Sequence, residues 1–141
     1  MINKEKAYQI AQKKMYDNDN FSQWLGIKII HLDMGQAILE MKIRMEMTNG
    51  FGIAHGGISY SLADSALAFA ANTHGRHSVS IETSISHTLP ILVGDTIRAV
   101  VSEDNLTNRI GVYRVLISNQ KEQIVAIFKG TVYRTSKEWE L

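Results

Sequence analysis

The chain has 141 residues, 45% hydrophobic and 21% charged, a composition that fits one ordinary globular domain with its own core. Fifteen basic and fourteen acidic side chains leave a formal net charge of +1, so there is no bulk attraction to nucleic acid or to an anionic membrane. The absence of cysteine excludes a disulfide framework, a thiolate nucleophile and a cysteine metal cluster.

The opening stretch MINKEKAYQIAQKKMYDND is charged throughout and lacks the apolar centre of a secretory signal. The longest apolar tract is far short of the ~20 residues a membrane span needs. The expectation is a cytoplasmic protein. Residues 4 to about 17 predict an amphipathic helix, with Ala7, Ile10, Ala11 and Met15 on one side and lysines on the other. From Gln36 to Met47, Ala37, Leu39, Met41, Ile43, Met45 and Met47 alternate with polar residues, which predicts a strand buried on one face.

A glycine-containing loop leads into a predicted helix from about Gly57 to Thr73. Its alanines and serines make it thin, and Ile58, Leu62 and Phe69 supply the bulk. Beyond it, residues 78–89, 95–104, 110–119 and 123–134 read as strands. The last two breaks, at Leu106–Arg109 and Asn119–Glu122, are hairpin-length, which makes the strands they join antiparallel neighbours. With one proline, no linker and no repeat, residues 1–141 form a single domain of the α+β class, in which one sheet covers one central helix. The exposed edges of such a sheet call for a partner, and a second copy of the chain is the simplest one.

The candidate site lies at the start of the central helix. Gly56 and Gly57 open it, where the first backbone N–H groups have no intrahelical acceptor and the helix dipole is positive. Such a place suits an oxygen that gains negative charge, as a thioester or ester carbonyl does under attack. Asp64 is the only charged residue from Gly57 to Asn72. Removing a carboxylate from water is costly, so its charged form should be disfavoured. Such a group can act as a general base for water or as a nucleophile.

Eight residues of helix separate Asp64 from Gly56, roughly 12 Å at 1.5 Å per residue. That is too far for both to act on one carbonyl within a chain, so a symmetric dimer would have to complete the site. Asn49 can donate an amide hydrogen bond to the carbonyl or hold the water, and His55 can serve as a base or as a loop support. Bland alternatives stand beside these: an aspartate satisfied by a serine or a backbone N–H, and glycines needed only for backbone conformation. His31, His74 and His77 read as surface polar residues, and no spacing of His, Asp or Glu suggests a metal site.

The run Asn49-Gly50, His55-Gly56-Gly57 and Leu62-Ala63-Asp64-Ser65-Ala66 resembles the signature of hotdog-fold acyl-CoA thioesterases, nearest the phenylacetate-degradation (PaaI-type) branch. Met15 to Asp19, Leu25-Gly26-Ile27, Pro90, Gly94-Asp95, Gly111-Val112-Tyr113 and Val125 to Gly130 extend the likeness over nearly the whole chain. The resemblance implies a hotdog fold, a curved antiparallel sheet wrapped around the long helix. It also implies edge-to-edge dimers that assemble as a dimer of dimers, a homotetramer. It implies metal-free hydrolysis of acyl-CoA without a cofactor, and active sites at the dimer interface. By motif position, Asp64 would be the catalytic carboxylate, Gly56 the oxyanion donor, Asn49 the group that orients thioester or water, and His55 a support for the loop, with Gly57 beside them. The sequence departs from the pattern at Leu89 and in the loop Gly50 to Ala54, where Phe51, Ile53 and Leu89 favour an aromatic or medium-sized apolar acyl group. Arg76 and Arg109 are candidates for the coenzyme A phosphates, since a guanidinium can bind phosphate bidentately.

The leading expectation is thioester hydrolysis. A non-catalytic acyl-CoA-binding hotdog protein is the rival in another class, and Asp64 discriminates, since a pure binder has no need of that charge. A hotdog dehydratase pairing an acid with His55 is a third reading.

Overall fold

The computed structural model describes residues 2–141. The N-terminal segment starts as α1 (Ile2–Ala7), widens into a π-helical stretch (Tyr8–Met15) and tightens into a 3-10 turn (Tyr16–Asn18). Ala7, Ile10 and Ala11 are fully buried, so the apolar face lies where the sequence puts it. The spacing of so few apolar residues cannot separate a winding of 3.6 from a wider one, so the change of winding was not predictable. Asp19 then caps a short helix, α2 (Asn20–Trp24): its Oδ1 accepts the Ser22 N–H at 2.9 Å and its Oδ2 the Ser22 hydroxyl at 2.6 Å. Ser22 Oγ also meets Ser65 Oγ at 2.8 Å, which ties α2 to the central helix.

Six strands form one antiparallel sheet: β1 (Lys28–Asp33), β2 (Gln36–Lys42), β3 (Arg76–His87), β4 (Thr96–Leu106), β5 (Ile110–Ser118) and β6 (Ile124–Glu138). β1 is absent from the sequence expectation. A bulge between Ile29 and His31 breaks its alternation, and as an edge strand it buries only Leu32. β2 is shorter than its alternating pattern suggests. At Ile43 the backbone turns to bond Asp95 O and Gly94 N instead of continuing the ladder, and Met45–Met47 wind into a 3-10 turn. Met47 is buried all the same, so the alternation reported burial correctly and strand length wrongly.

The spatial order is β1-β2-β4-β5-β6-β3. After β2 the chain runs through the central helix, α3 (Gly56–Asn72), to β3 on the far edge, and returns to β4 beside β2. α3 therefore packs against β2, β3, β4, β5 and β6. Leu62, Ala63, Ala66, Leu67, Phe69 and Ala70 are almost completely buried, and each large side chain among them contributes roughly 1.5–3 kcal/mol. The approach is close: a Cβ on Gly130 of β6 would fall 2.5 Å from Leu67 Cδ2.

Both outer strands, β1 and β3, keep one unpaired edge within the chain. β3 is twelve residues long, and its Val79 and Ile81 are more than half exposed. A long edge strand with exposed apolar side chains is a template for pairing with another strand.

Candidate active site

The loop before α3 is a tight, self-bonded hairpin. Asn49 N–H donates to Ile53 O at 2.8 Å, Gly52 N–H to Asn49 O at 3.0 Å, and Gly52 takes a φ of +78° that suits glycine. The Asn49 side chain accepts the Phe51 N–H on Oδ1 at 2.9 Å, which leaves its NH2 end without an acceptor among the described residues. His55 is the N-cap of α3, and its Nδ1 accepts the Gly57 N–H at 3.0 Å. An accepting Nδ1 carries no proton and is already engaged, so that nitrogen is not free to act as a base.

With Gly57 capped, the Gly56 N–H remains at the mouth of α3 without an acceptor among the described residues. It opens into a cleft of about 360 Å³ lined by Asn49, Ile53, Gly56, Ser59, His87 and Leu89, among others. Thus Asn49, Ile53, Gly56 and Leu89, all singled out in the sequence, come together. Phe51 does not line this cleft; it stands 89% exposed at the loop tip.

Asp64 lies half-buried on α3 in a different cleft of about 250 Å³, with Leu67, Ala68, Ser78, Ser80 and Val132. No described residue donates a hydrogen bond to its carboxylate: Ser61 Oγ donates to Gly57 O and Ser65 Oγ is engaged with Ser22. The serine-satisfied alternative is therefore not what the structure holds. Burial alone pushes the Asp64 carboxyl above the usual carboxylate range. Within one chain the free N–H and the unpaired carboxylate occupy separate clefts.

The arginines lie elsewhere. Arg76 opens β3 just beyond the C-terminal end of α3 and donates to Asn108 O at 2.5 Å and to Asn108 Oδ1 at 3.3 Å. Arg109 Nη1 donates to Arg134 O at 3.2 Å. Neither lines the clefts of Gly56 or Asp64. His74 differs from its surface reading: its Nε2 meets Glu103 Oε2 at 2.5 Å, its side chain is 12% exposed, and the same oxygen accepts the hydroxyl of buried Tyr113 at 2.8 Å. A carboxylate from a distant strand, invisible in local sequence, draws it in.

Several residues of the clefts escaped the sequence reading, among them two polar ones. His87 and Ser80 both sit on β3, one in each cleft. The one available signal for His87 was a polar side chain three residues before the only proline, Pro90.

Comparison with known proteins settles the family. The model of the thioesterase superfamily matches residues 51–126, more than half of the chain. The chain belongs to the thioesterase superfamily. It is 39% identical to the acyl-coenzyme A thioesterase PaaI of Escherichia coli K12 over 92% of this chain and 91% of that one. The solved structure of the E. coli PaaI protein, from the phenylacetic acid degradation operon, superposes with a TM-score of 0.93 at 37% identity, covering 96% of this thioesterase-family chain and 98% of the other. An N33D mutant of the phenylacetic acid degradation protein PaaI of Thermus thermophilus superposes with a TM-score of 0.80 at 38% identity, over 83% of this chain and all of that one. The architecture of this superfamily member is thus the expected α+β hotdog fold, α3 packed against the six-stranded antiparallel sheet. No helix among the described residues is long and apolar enough to cross a membrane.

Proposed function

We propose that this chain hydrolyses acyl-CoA thioesters to coenzyme A and a carboxylic acid, as the PaaI relative's name describes for that protein. The observation that carries the reading is the pairing of an acceptor-free Gly56 N–H with an unpaired, half-buried Asp64 on the same helix. The Gly56 N–H receives the carbonyl oxygen as it gains charge, and the NH2 of Asn49 holds the thioester or the water from the loop side. Asp64 takes the proton of the attacking water, and the carbon–sulfur bond then breaks to release the thiolate.

The course of β3 supports a dimer. Ser78 and Ser80, near its start, line the Asp64 cleft; His87, at its end, lines the Gly56 cleft. An antiparallel two-fold pairing of the free β3 edges sets the start of one strand against the end of the other. It therefore sets the Asp64 cleft of one protomer against the Gly56 cleft of its partner. This supports a site shared between two copies of the chain.

A thiol-release assay over a panel of acyl-CoAs tests the activity. Asp64→Asn and Asp64→Ala should each lose at least ~10²-fold in kcat, the scale of a positioned general base. Turnover close to wild type in both variants refutes the role of Asp64. A wild-type protein that binds acyl-CoA yet hydrolyses none of the panel would favour the binding-protein reading.

A further inference from the structure

His87 is the only titratable side chain lining the Gly56 cleft among the described residues, and its geometry fixes which nitrogen faces the ligand. Its Nδ1 lies 3.3 Å from Ser59 Oγ, and Ser59 Oγ lies 3.2 Å from Gly56 O. The carbonyl can only accept, and the hydroxyl has one proton to give. Both contacts are satisfied together only when Ser59 donates to Gly56 O and accepts from Nδ1–H. Ser59 is buried and its proton is committed, so the pair is not a serine nucleophile with its base.

A proton held on Nδ1 leaves the neutral imidazole with its lone pair on Nε2. That atom lies close to Gly56: a Cβ built on Gly56 would be 3.1 Å from it. The same cleft thus presents one donor, Gly56 N–H, and one acceptor, His87 Nε2. A carbonyl oxygen suits the donor and is repelled by the acceptor. The acceptor needs an N–H or O–H of the same ligand a few bonds away.

We propose that His87 Nε2 binds the amide N–H that coenzyme A carries two methylenes from its sulfur, while the thioester carbonyl sits on the Gly56 N–H. The proposal rests on the thioesterase reading above and adds the feature of the thiol half that the cleft selects. His87 is then a substrate-binding residue that recognises the pantetheine arm, not the acyl group. Within one chain, no other charged or titratable group among the described residues lines the cleft, and His55 is occupied with Gly57; in the proposed dimer Asp64 of the partner subunit faces it.

The test uses three probes: an acyl-CoA that the protein hydrolyses, the S-ethyl thioester of the same acid, which has no amide, and coenzyme A itself in titration calorimetry. His87 is exposed in the chain, so His87→Phe removes the acceptor and keeps a planar ring without disturbing the core. His87→Phe should raise KM for the acyl-CoA and Kd for coenzyme A by about 3- to 10-fold, one hydrogen bond's worth. It should leave kcat/KM for the S-ethyl thioester unchanged, and His87→Gln, which restores an acceptor, should recover most of the loss.

Equal losses on both thioesters, or unchanged KM and Kd in His87→Phe, overturn the proposal. A wild type that hydrolyses neither thioester would instead sink the thioesterase reading. The calorimetric comparison with coenzyme A would still decide the role of His87.

Discussion

The His55 imidazole accepts the Gly57 N–H at 3.0 Å, while the Gly56 N–H just before it has no acceptor among the described residues. One side chain thus caps the start of α3 without occupying its first donor. His55→Ala should destabilise the fold by about 0.5–2 kcal/mol, the worth of an N-cap, and lower kcat as the loop loosens. His55→Asn, which can cap, should restore most of both. Urea unfolding read beside thiol release checks the pair of effects.

Asp64 should trade stability for chemistry. Its folded-state pKa is raised by burial, so the folded chain binds a proton more readily than the unfolded one. Stability then falls as pH rises from the usual carboxylate value through the elevated one. Asp64→Asn should melt at a higher temperature than wild type at pH 7, with the gain vanishing below pH ~3.9, where the carboxyl is neutral in both folded and unfolded chains. The acid limb of kcat in the wild type should likewise inflect above that ordinary value. Melting curves across pH decide the first point; an unchanged melting temperature at pH 7 would count against the unpaired carboxylate.

The proposed site shared across β3 would make activity depend on assembly. Ile81→Lys puts a charge on the exposed edge and should give a monomer with at least ~10²-fold lower activity, the scale of a missing base. Mixing inactive Asp64→Asn with an inactive Gly56 variant should restore turnover, because the mixed dimer keeps one intact pair. Sedimentation with thiol release reads both. A monomer with full activity would remove the shared site.

Ile53 and Leu89, with Pro90, give the Gly56 cleft an apolar wall. The acyl preference should follow: phenylacetyl-CoA should have a higher kcat/KM than acetyl-CoA, and Leu89→Ser should narrow the ratio by about 10-fold, as one apolar side chain's contact is lost. A wild-type preference for acetyl-CoA would argue that this wall does not hold the acyl group.

Asn72 closes the other end of α3. Its Nδ2 donates to Ala68 O and Ser78 O, and its Oδ1 accepts from Ser78 N–H and from the indole N–H of Trp139. Asn72→Ala strands buried donors and should cost about 2–3 kcal/mol in denaturant unfolding, with kcat little changed.

What could be read from the chain and what could not divide along a physical line. The period of apolar residues marked α3, β2 to β6 and the buried face of the first helix, because burial on one side imposes that period locally. β1 stayed hidden since its bulge breaks the alternation at Ile29 to His31. The ends of β2 and β6 were misjudged because pairing partners, not side-chain pattern, decide where a ladder stops.

The site divides in the same way. Gly56, Asn49 and Asp64 announce themselves by residue type, since a glycine pair at a helix start and a lone charge in an apolar helix are each unusual without neighbours. By itself the sequence determined the class of fold and the residues worth watching. Only the tertiary structure decided that His55 spends its lone pair on Gly57, that Gly56 and Asp64 open into separate clefts, and that His87 stands beside Gly56. Those facts depend on loop geometry and on contacts between residues far apart in the chain, such as Ser59 and His87, and no local pattern encodes them.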